Sequence, residues 1–198
     1  IIVGLPGDSF ATNIKTIKDM MRVDVDQYLV YTLMLLHGSE LATPEERAKW
    51  GFNTKFRILP RSFAELKSGK KIMEVEEVVV SSNSLSFDEY VKIRLLAFSI
   101  FVTNQISYKP IIKFLRQNNV DIFDLFNRPL EDNNLPNNIQ NVFDEFKKST
   151  INELWDSPEE IIENFQDDDQ YQKLISEHIG FNVIQFHQAL VTTNHMPE

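Results

Sequence analysis

Apolar residues near the start of the chain form two uninterrupted runs, with a helical pattern between them. Ile1–Val3 and residues 27–36, "QYLVYTLMLL", lack polar alternation, which is typical of strands buried on both faces. Between these runs, residues 10–22 carry apolar side chains at a spacing of three or four, after a capping Asp8 or Ser9. Because two parallel strands need a crossover connection, this order predicts a βαβ unit.

The remainder of the chain is predicted to be mainly helical. Residues 71–80 have the pattern of one strand. The capping signals "TPEE" (43–46), "SFDE" (86–89) and "SPEE" (157–160) mark helix starts, and the helix that "SFDE" begins is amphipathic and continues to about Asn104. From Tyr108 onward, helices are predicted at roughly 108–118, 121–127, 136–150, 158–166 and 169–192, with a proline-containing loop at 128–138. The predicted fold class is α+β, a partial βα-barrel element (βαβ) followed by a mostly α-helical C-terminal domain. The predicted division is 1–42 for the βαβ segment, 43–85 for a connector with one strand, and 86–198 for the helical domain.

Composition excludes several classes of protein. The 198 residues are 42% hydrophobic and 25% charged, as in globular proteins. The second half holds the whole charge excess, with 7 basic and 16 acidic residues from position 100 onward. Such an acidic surface disfavours nucleic acid and anionic lipid as partners. No apolar run reaches the roughly 18 residues of a membrane helix, and the absence of cysteine favours a reducing, cytoplasmic location.

Several segments, taken in order, suggest a family. "IIVGLPGDSF" followed by "YLVYTLMLLHGSEL" resembles the fifth and sixth βα segments of the radical S-adenosylmethionine (radical SAM) barrel. His37 stands where that family usually has proline. The later stretches "PEERAKWGFNTKFRILPRSFAEL" and "MEVEEVVVSSNSLSFDEYVKIRLLAF" resemble the C-terminal region of cobalamin-binding members. The resemblance covers residues 1–101 and includes none of the helical tail.

The resemblance implies that the chain is the rear part of a larger enzyme. The chain begins on Ile1 rather than on methionine, in what reads as a buried strand, so we expect the missing N-terminal part of the same protein to be its partner. In the family, a C-x-x-x-C-x-x-C signature holds a 4Fe–4S cluster that cleaves S-adenosylmethionine. This chain has no cysteine, so we expect no catalytic residue, bound cofactor or metal in it alone. Cobalamin is a further cofactor that the resemblance implies for the parent protein.

The resemblance also implies a cofactor wall. The fifth strand and its glycine turn flank the adenine in the family, which corresponds here to Ile2, Val3 and Gly4. The end of the sixth strand, Leu33, Met34 and Leu35, packs against the same ring and offers backbone hydrogen bonds. The alternative for each of these positions is an ordinary core residue. Small apolar walls suit a flat aromatic ring because they stack without competing charge.

Charged residues of the connector and helices provide further candidates. Arg57 and Arg61 in "KFRILPR" are predicted to bind the phosphate or carboxylate of a substrate. The alternative is surface pairing of both arginines with glutamates. Arg94 interrupts an apolar helical stripe, and we expect it to extend toward the solvent. The alternative is a buried arginine, which would need a partner carboxylate. Glu74 and Glu76 fall on one strand face and could act in acid–base chemistry, but a solvated face is favoured. The three late histidines, His178, His187 and His195, lack the spacing of a metal site.

Two other functions are left open by the residues alone. A helical interaction module without enzymatic activity is the main alternative to the enzyme fragment. The turn "GLPGDS" as a phosphate-binding loop is a third hypothesis, although it lacks the lysine of a P-loop. For the isolated chain, we expect the strands at 1–3 and 28–36 either to pair with a second copy, giving a homodimer, or to be covered by the chain's own helices.

Overall fold

The computed structural model describes residues 1–23, 28–103, 108–132, 134–176, 179–180 and 182–194. These residues form an α+β protein with four strands and nine α-helices. The strands are β1 (Ile2–Val3), β2 (Tyr31–Thr32), β3 (Asn53–Glu65) and β4 (Lys71–Ser81). The helices are α1 (Phe10–Arg22), α2 (Pro44–Trp50), α3 (Phe87–Thr103), α4 (Lys109–Gln117), α5 (Ile122–Glu131), α6 (Asn137–Asn152), α7 (Pro158–Asn164), α8 (Asp168–Ile175) and α9 (Val183–Asn194).

The predicted βαβ unit is present, and its two strands are parallel. Ile2 pairs with Tyr31 and Val3 pairs with Thr32. The crossover helix α1 begins with a capping box, in which the Ser9 side chain accepts a hydrogen bond from the N–H of Thr12. Its apolar face is buried against α3 and α5 through a cluster that includes Ile17, Met21, Leu96 and Phe126.

The connector forms two strands, and the prediction of one strand in residues 43–85 is wrong. β3 and β4 make an antiparallel hairpin in which Arg57 lies opposite Glu76. The register shifts between Ile58 and Phe63, and Pro60 lies within this irregular stretch. Proline is tolerated in a strand at such a bulge, where its missing N–H is not needed by the ladder. Pro60 and the charged side chains of β3 therefore concealed this strand in the sequence.

The hairpin continues the sheet that the βαβ unit starts. The N–H of Val79 donates to the Leu33 carbonyl at 2.9 Å, and the N–H of Leu35 donates to the Glu77 carbonyl at 3.0 Å. The order across the sheet is therefore β1, β2, β4, β3. On the far edge, Trp155 pairs antiparallel with Phe56 of β3. On the near edge, no described residue pairs with the outer side of β1.

Each face of the sheet packs against a different layer. Val78 and Val80 of β4 contact Tyr90 and Val91 of α3, whereas Val79 points to the other face. On that face lie the buried Leu33 and Leu35, with Phe52 and the 3₁₀ turn Glu40–Ala42 packed against them. Part of the apolar strand surface is thus covered by the chain's own elements.

Helix α3 is the central helix of the described structure. Nine of its residues are buried, and it contacts α1, α5, α6 and α9. Phe98 of α3 stacks on Phe146 of α6, with ring centroids 4.3 Å apart. Two helices differ from the sequence prediction: α5 continues through Pro129 to Glu131, and the long helix expected at 169–192 is divided into α8 and α9. No helix among the described residues is both long and apolar enough to cross a membrane.

Gly51 ends α2 in a left-handed conformation and is expected to resist substitution. Its φ is 61°, and a Cβ there would lie 2.0 Å from Oδ1 of Asn83. We expect Gly51→Ala to lower the free energy of unfolding by about 1–2 kcal/mol through backbone strain, with the contact adding to it. Chemical denaturation measures this change. Gly69→Ala is the control, because Gly69 has a φ of 80° but no atom within 4 Å of the place where a Cβ would stand; equal losses in both variants would contradict a role for the Asn83 contact.

Candidate functional site

The three positions predicted on β1 differ in exposure. Ile2 exposes 47% of its surface, whereas Val3 exposes 3% and packs against Leu85 and Ile93. Gly4 follows with a φ of 92°, where a side chain would be strained. Val3 is therefore a core residue, while Ile2 faces outward at the open edge of the sheet.

The positions predicted at the end of β2 also divide into two kinds. Leu33 and Leu35 are buried, and their amides donate to the carbonyls of Val3 and Glu77. Those two amides are therefore committed to the sheet. Met34 is 40% exposed and lies opposite Val78. The Leu33 carbonyl and the Leu35 amide both point to β4, so the adjoining trans peptide groups direct the amide and carbonyl of Met34 away from β4.

A cavity of about 340 Å³ lies between the chain leading through β2, the first half of β3, α3 and the start of α9. Its walls are mainly apolar, but two arginines and two glutamates also line it. The apolar lining residues include Leu29, Ile58, Leu59, Ala97, Phe101 and Val183. Concave sites with mostly apolar walls and a few polar groups are typical of small-molecule binding sites.

The four charged residues form one network, called here the buried ion-pair cluster: Arg57, Glu76, Arg94 and Glu153. The Arg57 guanidinium donates from Nε to Glu76 and from Nη1 to Oε1 of Glu153, the latter at 3.1 Å. Arg94 Nη2 lies 3.7 Å from the same Glu153 oxygen. Each of the four side chains is between 10% and 17% exposed. Three separate segments, β3–β4, α3 and the residue after α6, are joined by these contacts.

The cluster favours the charged form of Arg57. Burial alone would lower the pKa of Arg57, but the carboxylates of Glu153 and Glu76 outweigh this effect and raise the pKa above its ordinary value. Tyr90 also contributes to raising the pKa of Arg57. The Arg57 guanidinium is thus a permanent cation whose charge is already balanced within the protein.

Some polar atoms beside the cluster have no hydrogen-bond partner among the described residues. They are Oγ1 of Thr32, the hydroxyl of Tyr90 and Nε of Arg94, all in residues at most 9% exposed. The three residues share a crevice that has no room for a water molecule. Thr32 and Arg94 also line the larger cavity. Because buried polar atoms are nearly always hydrogen-bonded, these orphan atoms are the most unusual feature of the site.

The two arginines predicted to bind substrate lie in different places. Arg57 belongs to the buried ion-pair cluster and lines the cavity beside it. Arg61 is an exposed residue of the β3 bulge with a φ of 63°, and it lines a different cavity together with Phe63 and Phe186. The structure does not bring the two guanidinium groups into one cavity.

Other charged candidates are also accounted for by local contacts. Glu74 accepts a hydrogen bond from the Ser62 hydroxyl at 2.6 Å, while Glu76 pairs with Arg57, so the two glutamates have separate partners. Arg94 is buried and paired with Glu153, and the expectation that it extends to the solvent is wrong. Sequence reasoning gave no role to Glu153. The sequence indicates only that a buried arginine needs a carboxylate partner, and this need does not identify Glu153 among the acidic residues.

Of the three late histidines, the structure describes His187, which is a core residue. His187 is 2% exposed, its Nδ1 lies 2.9 Å from the Val183 carbonyl, and its ring lies edge-on to Phe98 and Phe146. No group of three or more metal-ligating side chains occurs within the described ranges. His178 and His195 lie outside the described residues.

A second ion pair anchors the loop after β2 and should make stability depend on pH. Arg47 binds both carboxylate oxygens of Glu77, at 2.5 and 2.7 Å, and Thr54 donates to the same carboxylate. These contacts, the Arg47 hydrogen bonds first, lower the pKa of Glu77 below its ordinary value of 4.5. A lowered pKa in the folded state stabilises the fold above pH 4.5, and this contribution is lost as the pH falls through the folded-state pKa.

The test of this pH dependence is the variant Glu77→Gln. At pH 7 we expect it to unfold at lower denaturant concentration than the unaltered protein. As the pH falls below 4.5, the two unfolding midpoints should converge, because the protonated Glu77 no longer differs in charge from glutamine. A constant difference between the two midpoints across this pH range would show that the ion pair is not its cause.

The sequence was compared with protein-family models and with curated proteins. No protein-family model matches the chain. No curated protein has significant similarity to it. The functional conclusion therefore depends on the geometry described above and on the sequence resemblance.

Proposed function

We propose that this chain is the C-terminal part of a radical SAM-type enzyme, in which β1 and β2 are the last two parallel strands of the barrel. The resemblance of residues 1–101 supports this proposal. The parallel pairing of Ile2 with Tyr31 across helix α1 is the connection that a βα-barrel repeats. The hairpin and the helices then form a C-terminal domain beside the barrel.

The single observation that carries this proposal is the asymmetry of the sheet. The edge of β2 is occupied by the antiparallel β4, which ends the parallel series on that side. The outer edge of β1 has no partner among the described residues, so further parallel strands have room only beside β1. Such strands would precede β1 in sequence, because neighbouring barrel strands follow one another along the chain. The side chains of Ile2 and Tyr31, which lie opposite each other in the pairing of β1 with β2, are also accessible, at 47% and 57% exposure.

The cofactors that the proposal implies fit this chain unequally. Iron–sulfur clusters need thiolate ligands, and the chain has no cysteine, so it does not itself hold the cluster. For S-adenosylmethionine the fit is better. The amide N–H and the carbonyl of Met34 point away from β4, where an adenine could bond to them. Ile2 presents an accessible apolar surface for the adenine ring. Nothing in the described residues selects cobalamin.

The proposal is tested by sequencing the gene that encodes this chain. We expect the reading frame to continue upstream of Ile1 and to encode C-x-x-x-C-x-x-C. The protein from the complete frame, purified without oxygen, should contain a 4Fe–4S cluster by iron analysis and electron paramagnetic resonance. It should also bind S-adenosylmethionine in calorimetry, whereas the 198-residue chain should bind neither.

A reading frame that lacks this signature would contradict the proposal. The remaining explanation would then be the non-enzymatic helical interaction module. As a control in the positive case, a variant of the complete protein with serines in place of the three signature cysteines should fold with the same helical content and lose the cluster. Retention of the cluster by that variant would also overturn the proposal.

A further inference from the structure

We propose that a second cavity, formed mainly by the C-terminal helices, binds a neutral monosaccharide. This cavity of about 360 Å³ is lined by β3, the end of α6, α7, α8 and the residues that lead into α9, and is called here the α6–α8 cavity. It shares Arg57 and Glu153 with the first cavity. The proposal is independent of the radical SAM assignment, because the lining residues belong to this chain.

The wall of the α6–α8 cavity carries polar groups that the fold leaves unused. Within the described ranges, four of them make no hydrogen bond: the Ser149 hydroxyl, the carboxamides of Asn152 and Asn164, and the indole N–H of Trp155. The oxygen of the Gln170 side chain accepts from Lys173 at 3.2 Å, which leaves its NH₂ group available. Unlike the orphan atoms in the crevice, none of these groups is buried, so each is accessible to solvent.

The chemistry of these groups matches a ligand that is rich in hydroxyls. A carboxamide has an oxygen that accepts and an NH₂ that donates, and a serine hydroxyl does both. Sugar hydroxyls also donate and accept, so each can pair with any of these groups. Charged groups or purely apolar ligands would leave the carboxamides unpaired, which costs binding free energy.

The placement of the groups favours a sugar over a flat nucleobase. Ser149 and Asn152 lie near the end of α6. Asn164 is the last residue of α7, and Gln170 lies in the first turn of α8. A nucleobase presents its hydrogen-bonding groups in one plane, whereas hydroxyls project around a pyranose ring. Donors and acceptors that come from three helices therefore suit the sugar better.

The apolar part of the wall suits the carbon skeleton of a sugar ring. Trp155 is half-buried and lies edge-on to Phe165, with ring centroids 6.0 Å apart. Ile58, Ile179 and Val183 line the same cavity. Tryptophan combines a large apolar face with one polar N–H, as a ring with C–H groups and hydroxyls requires. The volume lies within the range of ligand pockets, roughly 300–1,000 Å³.

The charges that line the α6–α8 cavity are already balanced. Nη1 of Arg57 donates to Oε1 of Glu153 at 3.1 Å, and Arg57 also binds Glu76. Arg57 and Glu153 are the charged residues among the described lining residues. A charged ligand would therefore find no uncommitted counter-charge there, and burying a charge without one is unfavourable. The cavity thus favours a neutral sugar.

The experiment follows the indole N–H signals of the two tryptophans by nuclear magnetic resonance while the 198-residue chain is titrated with glucose, galactose and mannose. Trp155 reports on the cavity. Trp50 is the internal reference, because its Nε1 donates to Glu46 at 2.7 Å and it is not a lining residue. We expect at least one hexose to shift the Trp155 signal saturably in the millimolar range, while the Trp50 signal stays unchanged.

Two further probes separate a sugar from ligands of other classes. Cyclohexanol has a ring of the same size but one hydroxyl, and adenine is a flat base. We expect both to bind at least about tenfold more weakly than the best hexose, because each leaves several of the carboxamide and hydroxyl groups unpaired.

Asn152→Ala and Asn141→Ala form a matched pair of variants. Both asparagines are exposed residues of α6, but Asn152 lines the cavity and Asn141 does not. We expect Asn152→Ala to weaken hexose binding about fivefold through the loss of a hydrogen-bonding group. Asn141→Ala should leave binding unchanged. Both variants should unfold at nearly the same temperature as the unaltered protein, because neither side chain is buried.

Four results would overturn the proposal. The first is the absence of a Trp155 shift with every hexose up to its solubility limit, and the second is an equal shift of Trp50 and Trp155. The third is binding of cyclohexanol or adenine as tight as that of the best hexose. The fourth is an equal effect of Asn152→Ala and Asn141→Ala on hexose affinity. Failure of this proposal would leave the reading-frame test of the proposed function unaffected.

Discussion

Glu153→Ala is expected to lower the free energy of unfolding by about 3 kcal/mol, the lower end of the range for breaking a buried ion pair. Glu153 is the shared partner of Arg57 and Arg94, and all three side chains are largely buried. Removing its carboxylate leaves two guanidinium groups with only Glu76 to balance them. Since an uncompensated buried charge costs more than the pair contributes, the loss exceeds that of any single surface contact.

Urea denaturation at pH 7 measures this effect. Asp19→Asn is the control, because Asp19 makes two ion pairs on the exposed face of α1, with Lys15 and Arg22. We expect the control to unfold at the same urea concentration as the unaltered protein. If Glu153→Ala matched the control, the buried ion-pair cluster would not be a stabilising element of the fold.

Phe146→Ala is expected to destabilise the protein by about 4 kcal/mol, as is usual for truncating a fully buried aromatic side chain. Phe146 has no exposed surface, and its ring is nearly parallel to that of Phe98, at an interplanar angle of 8°. His187 of α9 contacts the same ring edge-on at 5.4 Å. The side chain therefore joins α3, α6 and α9, and its removal would leave a cavity where the three helices meet.

Phe114→Ala provides the matched control for Phe146→Ala. Phe114 lies on α4 and is 62% exposed, so its truncation should change the free energy of unfolding by less than about 0.5 kcal/mol. Thermal or urea unfolding of both variants gives the comparison. Similar losses in the two variants would mean that the interface between α6 and α9 contributes little to the stability of the fold.

Local signals in the sequence were sufficient for several helix starts. Ser9, Thr43 and Ser157 each precede a helix and accept a hydrogen bond from a backbone N–H three residues later, as their capping signatures predict. Helix α1 has the bounds that its apolar spacing indicates. These features were predictable because the residues that determine them lie within one or two turns of each other.

Features that depend on distant partners were not predictable in the same way. Strand β3 has a weak intrinsic pattern and is fixed by its pairing with β4 and by Trp155. The cluster formed by Arg57 and Glu153 joins residues 96 positions apart. A sequence shows that a buried arginine needs a carboxylate, but the choice among the many acidic residues of this chain is made by the tertiary fold.

The site predictions show the same distinction. Residues 27–36 are almost all apolar, so the sequence does not show which of their side chains are buried. In the structure, Met34 is exposed whereas Leu33 and Leu35 are buried. The reason is that β4 pairs with residues 33–35 and thereby determines which side chains and peptide groups remain accessible. The cavity lined by Thr32 and Arg94 likewise exists only after β2 and α3 have packed together.

Hydrogen exchange at Gly4 tests most directly the central claim that β1 is an inner strand of a larger sheet. The Val3 carbonyl accepts a hydrogen bond from Leu33, so the trans peptide group directs the Gly4 N–H to the outer edge, where no described residue accepts it. We expect the Gly4 amide to exchange rapidly in the 198-residue chain and many times more slowly in the protein from the complete reading frame. The Leu33 amide, bonded to Val3 in both, is the internal control. Equal exchange of the Gly4 amide in both proteins would contradict the account.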